Sequence, residues 1–367
     1  MEITTLRGPF LGKEGLREME MTIENGMIVD LAEGVAKGKV DGVLHEGLII
    51  PSLLDMHTHM GDCFARGDLP PGLLETVLPG GVKHRFLEGS DRGDLVESIR
   101  FSLRELAPGV GLVLDYREGG LDGLEILREA IPEGSPMILP LGRVTEGEDP
   151  VEVLSRSVGF GIPSLDGENL EELRELAGDS IFSVHASELY REDIDRVLSL
   201  KPDQVVHMVS GTVDDWTALA EEKVPVTVCP RSNMAYGIPL PLGSMMKQDL
   251  SLTIGTDNSI SSRQDIFREM EVSWLLLRRM GLSGEETAMM VFDMASGRTL
   301  DGTELMDKIP LSDCREPRRG DPASYSILRI GDRRLLENGP YSFLVRFATQ
   351  HDVLFSGSYK PGPFGSI

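Results

Sequence analysis

Short apolar runs separated by amphipathic stretches set the rhythm of the middle of the chain. The runs fall at Leu48–Leu54, Val110–Asp115, Met137–Leu141, Val158–Ile162, Ile181–His185, Gln204–Val209, Val224–Cys229 and Leu250–Asp257. After the first gap they recur every ~20–27 residues, the spacing of a strand plus a helix and two loops. Near-continuous hydrophobicity over so few residues is the pattern of a strand covered on both faces. Between the runs, Asp122–Ala130, Leu170–Leu176, Glu192–Leu198 and Asp214–Glu222 carry the periodicity of amphipathic helices. Eight strand–helix units predict an α/β chain with a parallel sheet, and eight can close as a (β/α)8 TIM barrel over residues 51–305. An open, doubly wound sheet gives a similar rhythm, so periodicity alone leaves both architectures standing.

The pattern changes outside this region. Residues 1–50 alternate polar and apolar positions in short bursts, as in Met19-Glu-Met-Thr-Ile. After a helical stretch at Gly284–Leu300, residues 306–367 read as β-rich, with Tyr325-Ser-Ile-Leu-Arg-Ile and Asp352-Val-Leu-Phe-Ser. Neither end is long enough for a core of its own, so the two are expected to join as one small β-sandwich beside the barrel. The long first gap holds a Gly- and Pro-rich stretch, Gly61–Gly81, and a predicted helix near Gly93–Leu106. An insertion after the first strand is placed either over the barrel mouth or as a plain surface excursion.

Composition narrows the class. The 367 residues are 40% hydrophobic and 26% charged, a globular profile. A formal net charge of −24 repels phosphate backbones and anionic membranes, which argues against nucleic acid and membrane partners. Three scattered cysteines, Cys63, Cys229 and Cys314, form neither a disulfide framework nor a metal knuckle. With no signal-peptide pattern at the N-terminus and no apolar run near the ~18 residues of a bilayer span, the expected location is cytoplasmic. A homo-oligomer is compatible with all of this.

Candidate chemistry concentrates at the ends of the predicted strands. In Asp55-Met-His57-Thr-His59, positions i and i+2 of a strand share a face, so His57 and His59 can address one cation. His185 closes the fifth run, His207 the sixth and Asp257 the eighth. A lone histidine in an apolar strand is more often a hydrogen-bonded core residue, and a lone aspartate after Gly-Thr more often a helix cap. Their joint placement at carboxyl ends of strands, where barrel enzymes assemble their sites, changes that reading. Imidazoles with one carboxylate suit zinc or ferrous iron, with a coordination position left for water. No His-Glu-x-x-His or Pro-Cys-x-x-Cys is present, and the fourth run lacks the lysine that a carbamylated two-metal bridge requires. One divalent metal ion is therefore expected.

Taken in order, Pro51-x-x-x-Asp55-x-His57-x-His59, His185-Ala-Ser-Glu188, His207, Cys229-Pro-Arg-Ser-Asn233 and Gly255-Thr-Asp257 make the chain resemble the amidohydrolase superfamily. The similarity is to the branch of cytosine, guanine and S-adenosylhomocysteine deaminases and triazine hydrolases, and it extends to Met294-Ala-Ser-Gly-Arg-Thr-Leu and Gly320-Asp-Pro-Ala. The resemblance implies that His57, His59, His185 and Asp257 bind the metal. It further implies that Asp257 takes a proton from water, Glu188 protonates a ring nitrogen and then the leaving ammonia, and His207 orients the attacking oxygen. Cys229 is expected in a structural turn. Arg117 and Arg143, after the second and third strands, are candidate substrate contacts. The implied activity is hydrolytic deamination of a nucleobase, nucleoside or related small heterocycle. Hydrolysis of a cyclic amide or loss of another leaving group at the same centre is the alternative, and a non-catalytic binding relative a third.

Overall fold

Alternation along the apolar runs separates two cores. The computed structural model describes residues 3–12, 15–34, 40–67, 72–78, 80–282, 284–310 and 317–357. Parallel strands Leu53–His59, Val110–Arg117, Met137–Gly142, Gly159–Ile162, Ile181–Ala186, Gln204–His207, Val226–Val228 and Leu252–Ile254 hydrogen-bond side by side in chain order. The sheet is curled. Leu112, Leu114 and Tyr116 lie in an inner cluster with Leu54, Met56, Leu141, Ile181 and Val206. Val113, Phe182, Val184, Val205 and Val226 fall in the outer cluster, with Leu103, Leu127, Val197 and Leu219 of the intervening helices. Period-two alternation thus gives each strand one face toward the helices and one toward the inside of the curl.

The eighth run is broken. Leu252–Ile254 pairs with Val226–Val228, and after Gly255-Thr256 the short strand Asp257–Asn258 pairs with Thr58–His59 of the first strand. Across the break the chain passes from one end of the nine-stranded curled sheet to the other, a TIM-barrel-like arrangement. Gly255 is required here: a Cβ on it would lie 2.7 Å from the Cβ of His57.

The two ends of the chain do combine, but in one seven-stranded sheet and not as the two facing sheets of a sandwich among the described residues. Its order is Val353–Ser356, Tyr325–Leu328, Leu48–Pro51, Ile3–Gly12, Gly15–Glu24, Met27–Glu33, with Val43–Glu46 also on Ile3–Gly12. Leu6, Phe10, Met19, Met21, Ile49 and Tyr325 form its separate small core. The run Leu48–Leu54 is therefore shared: Leu48–Pro51 belongs to this sheet and the parallel strand begins at Leu53. The β-rich reading of the C-terminal region is corrected between its two strands. Helices Arg334–Glu337 and Pro340–Phe347 occupy that interval. In the latter, proline opens the helix, and Tyr341, Leu344 and Val345 are buried at helical spacing, where it packs on helix Glu285–Ala295. Cys314 and the terminal residues 358–367 lie outside the described residues.

The first interval contains a 3₁₀ turn at Cys63–Ala65 and helices Leu73–Val77, Val82–Gly89 and Arg92–Leu106. Residues 68–71 and 79 of the expected insertion lie outside the described residues. No helix among the described residues is long and apolar enough to cross a membrane.

Helix Ile266–Arg279 follows the broken strand and buries Glu269 completely. Its carboxyl accepts the Arg231 backbone N–H at 3.0 Å, and Arg231 Nη1 lies 3.5 Å away. Burial outweighs these partners and pushes Glu269 up to about 8. In an unfolded chain the group ionises near 4.3, so between those values the folded state holds the extra proton and stability falls as pH rises. Glu269→Gln removes that dependence. Thermal unfolding of the two proteins from pH 5 to pH 8 should show the variant gaining on the parent as pH increases; a difference that stays constant would contradict the burial argument.

Candidate metal centre and active site

The histidine-bearing strands are not regular where the chemistry sits. On Leu53–His59 the pairing with Val110–Arg117 slips between Asp55 and Thr58, so three steps on one strand match two on the other. Leu54, upstream of this bulge, and Met56, at its start, are in the inner cluster. Across it the parity changes, and His57 and His59 come to the centre instead. Asp55 holds the slip in place: it accepts the Thr256 backbone N–H at 3.0 Å and the Thr256 hydroxyl at 2.5 Å. Burial pushes Asp55 up to about 7 despite these bonds. At the other strand ends, His207 (φ +75°) and Asp257 (φ +59°) take left-handed backbone conformations that non-glycine residues seldom adopt. The sequence placed these side chains; backbone kinks aim them.

Beneath the centre runs a belt of hydrogen-bonded polar groups. The Tyr116 hydroxyl meets Ser183 Oγ, and Ser183 donates to Gln204 Oε1 at 2.9 Å. Gln204 Nε2 donates to the Met56 carbonyl at 2.8 Å and to Thr227 Oγ1, which lies 2.7 Å from Thr253 Oγ1. Six strands are tied together at one level, and the Tyr116 ring stands 4.3 Å from that of His57 and 5.0 Å from that of His185.

Above the belt the expected ligands converge. Donor atoms of His57, His59 and His185 lie within 4.8 Å of one another, as do those of His57, His207 and Asp257. His57 Nε2 faces His185 Nε2 at 3.3 Å, and Asp257 Oδ1 is 3.4 Å from His57 Nε2 and 3.7 Å from His59 Nε2. His185 Nδ1 is 2.9 Å from the Ile162 carbonyl, an acceptor that selects the Nδ1–H tautomer and leaves Nε2 with its lone pair. Desolvation pushes His57 down to about 3 and His185 well below its ordinary value, so both rings are in the neutral, ligating form. Basic nitrogens turned toward each other beside a buried carboxylate fit a divalent cation. This is a His/Asp metal site.

Two carboxyls at its edge are driven apart. Although burial alone would raise Asp257, the surrounding imidazoles hold it well below its ordinary value. Ser232 Oγ donates to its Oδ2, and Asn258 Nδ2 does so at 3.2 Å. Glu188 is raised well above the usual carboxyl range by burial and by Asp257. Its Oε1 lies 3.5 Å from His207 Nε2 and has no hydrogen-bond partner. The two carboxyls therefore differ in proton affinity, Glu188 retaining its proton more strongly than Asp257.

The two candidate arginines part company. Arg117 is buried, with Nη1 3.4 Å from Asp115 Oδ2 and Nη2 3.0 Å from Glu118 Oε2. Its fork is thus directed at carboxylates beside the centre. Arg143 is half-buried just beyond strand Met137–Gly142. Cys229 is buried in the inner cluster, with its thiol pushed up by burial, which suits packing and not nucleophilic attack. Unassigned from the sequence were Asp55, Ser232 and Glu118, although all three fall in or beside quoted motifs. Glu118 Oε1 lies 2.6 Å from His59 Nδ1.

Comparison with known proteins decides the lineage. The chain is 32% identical over 316 residues to an inferred aminohydrolase of Methanothermobacter thermautotrophicus, spanning 75% of this chain and 79% of that one. The chain belongs to the amidohydrolase superfamily. As a member it is a hydrolase of non-peptide carbon–nitrogen bonds. The fold is similar to that of atrazine chlorohydrolase from Arthrobacter aurescens complexed with zinc, with TM-score 0.72 and 16% identity over 96% of this chain and 95% of that one. It is also similar to an adenosine deaminase from Xanthomonas campestris with bound zinc, with TM-score 0.70 and 18% identity over 95% and 90% of the two chains. No family model matches the sequence.

His185→Ala removes a nitrogen whose orientation is fixed by Ile162. Elemental analysis after metal loading and desalting should find about one divalent ion per parent chain and a background level in the variant. Full retention by the variant would mean that the ion is held elsewhere.

Proposed function

We propose that this amidohydrolase superfamily member is a hydrolytic deaminase of a nucleobase, nucleoside or related heterocycle, releasing ammonia. The observation that carries the reading is the convergence of Glu188, His207 and Asp257 on the histidine cluster: Glu188 Oε1 is 3.5 Å from His207 Nε2, and donor atoms of His207, Asp257 and His57 lie within 4.8 Å of one another. One divalent ion, zinc in our reading with iron as the other candidate, would be held by His57, His59, His185 and Asp257. When bound it supplies an acidified water near neutral pH. We also read the curled sheet as a closed (β/α)8 barrel over residues 51–305, with residues 1–50 and 306–367 as a second unit.

The residues of the chain then divide the proton transfers of an amidine hydrolysis. Asp257 accepts a proton from the attacking water as its oxygen bonds to the amidine carbon. Glu188, neutral in its desolvated position, donates to the ring nitrogen, which takes up the electron pair of the C=N bond. His207 Nε2 points toward the same space from the adjacent strand end and orients the oxygen as charge builds on it. Glu188, left charged, takes the remaining hydroxyl proton and passes it to the amino group, the carbon–nitrogen bond breaks to leave ammonia and a ring carbonyl, and the proton on Asp257 returns to Glu188. Tyr116 and the polar belt close the floor to bulk water. The family's aminohydrolase relatives support the ammonia-releasing form of the reaction.

Glu188→Gln keeps shape but loses the transferable proton. The metal content of this variant should equal that of the parent, while kcat for ammonia release from an aminoheterocycle panel should fall ~10²–10⁴-fold. Unchanged turnover removes Glu188 from the mechanism. Metal-replete parent enzyme that opens cyclic amides but releases no ammonia from any aminopurine or aminopyrimidine would replace deamination by the alternative hydrolysis.

A further inference from the structure

Lys83 stands at the start of helix Val82–Gly89, in the interval after the first parallel strand, and is almost completely buried. Its Nζ contacts Glu118 Oε1, the same oxygen that lies 2.6 Å from His59 Nδ1, and sits 3.8 Å from Asp62 Oδ2. Asp62 in turn accepts the Ser259 backbone N–H at 3.0 Å and its hydroxyl, directly after the Asp257–Asn258 strand. Arg117 occupies the other oxygen of Glu118 at 3.0 Å. A continuous polar chain, His59–Glu118–Lys83–Asp62–Ser259, therefore runs from one expected ligand strand to the other. Its only link contributed by the inserted helices is Lys83.

We propose that Lys83 is a positioning residue: it pins the Glu118 carboxylate against His59, and thereby sets how tightly the centre holds its ion. The proposal rests on the reading of His59 as a metal ligand. The physical reason is geometric. An imidazole ligand is oriented by whatever its second nitrogen bonds to, and losses of such partners typically weaken metal binding ~10–100-fold. Glu118 can serve only if its own position is fixed. Arg117 alone grips one oxygen and leaves the carboxylate free to swing about that contact. The ammonium of Lys83 grips the other oxygen, the one that His59 uses. A lysine buried between Asp62 and Glu118 also offsets part of their charge, so that these carboxylates orient the centre without becoming competing ligands.

The test is zinc affinity, measured by competition with a chromophoric chelator, together with the visible spectrum of the cobalt-substituted protein. Lys83→Met should bind zinc ~10–100-fold more weakly and alter the cobalt spectrum, with Lys83→Arg recovering part of the loss. Because the effect travels through Glu118, E118Q should lose a similar amount, and the K83M/E118Q double variant should be no weaker than E118Q alone. A purely structural lysine would lower the unfolding temperature of the metal-free protein and leave affinity intact. Should K83M not fold, K83R in the parent and E118Q backgrounds carries the same comparison, since a displaced cation perturbs affinity only while Glu118 is charged. Parent-like affinity in a folded K83M, or losses that multiply in the double variant, overturn the proposal. His59→Ala separates the two layers of the argument: zinc retained by H59A defeats the metal-site reading itself, whereas zinc lost in H59A but kept in K83M defeats only the role of Lys83.

Discussion

The structure depends on keeping several electron-pair donors face to face in a place that water does not screen. His57 Nε2 and His185 Nε2 are 3.3 Å apart, and Asp257 brings a carboxylate to within 3.4 Å of the first. Basic atoms at such distances repel one another when no cation or proton lies between them, and burial magnifies the effect. Something must hold them there. Hydrophobic contact cannot, because it is non-directional. The directional work is done by hydrogen bonds that reach three of the ligands from behind: Ile162 O on His185, Glu118 on His59, and Ser232 and Asn258 on Asp257, while Asp55 accepts the backbone N–H groups of His57 and Thr256.

Those supports share a design. Ile162, Glu118 and Ser232 come from elements other than the strand of the ligand they hold, so separate elements are tied around the circumference. The Tyr116–Ser183–Gln204–Thr227–Thr253 belt repeats this one level down. Polar groups inside a sheet are costly unless fully bonded, and here they bond mainly to each other. The outcome is a rigid floor with the reactive groups above it and apolar side chains below it. Left-handed backbone at His207 and Asp257 fits the same picture, since strained conformations persist only where the surroundings over-determine them.

Much of this was legible in the primary structure because period and position carry it. Runs such as Ile181–His185 announce a buried strand with a functional residue at its carboxyl end, and five ordered motifs identified the superfamily. What the pattern hid was local. A bulge between Asp55 and Thr58 cannot be read from an i, i+2 rule, because the rule assumes the regular pairing that the bulge interrupts. Lys83 was invisible for another reason: a single lysine just past a Gly- and Pro-rich stretch reads as surface, and only tertiary packing buries it. Arg117 was placed correctly at a strand end, but neighbouring acids determine where its fork is directed. The helices at 334–347 escaped notice because a short amphipathic helix and a β segment share the same apolar content over eight residues.

One joint has a mechanical consequence. Between Pro51, in the seven-stranded sheet, and Leu53, in the parallel sheet, stands only Ser52, whose N–H is bonded to the Ser324 carbonyl and whose hydroxyl meets Ser326. A lever that short transmits displacement without slack. Shear or loosening of the outlying sheet reaches His57 five residues on as a tug along its own strand, so the terminal segments act as an anchor for the reaction centre. Circular permutation or insertion is therefore better tolerated at the helical turns between later strands than anywhere near this splice.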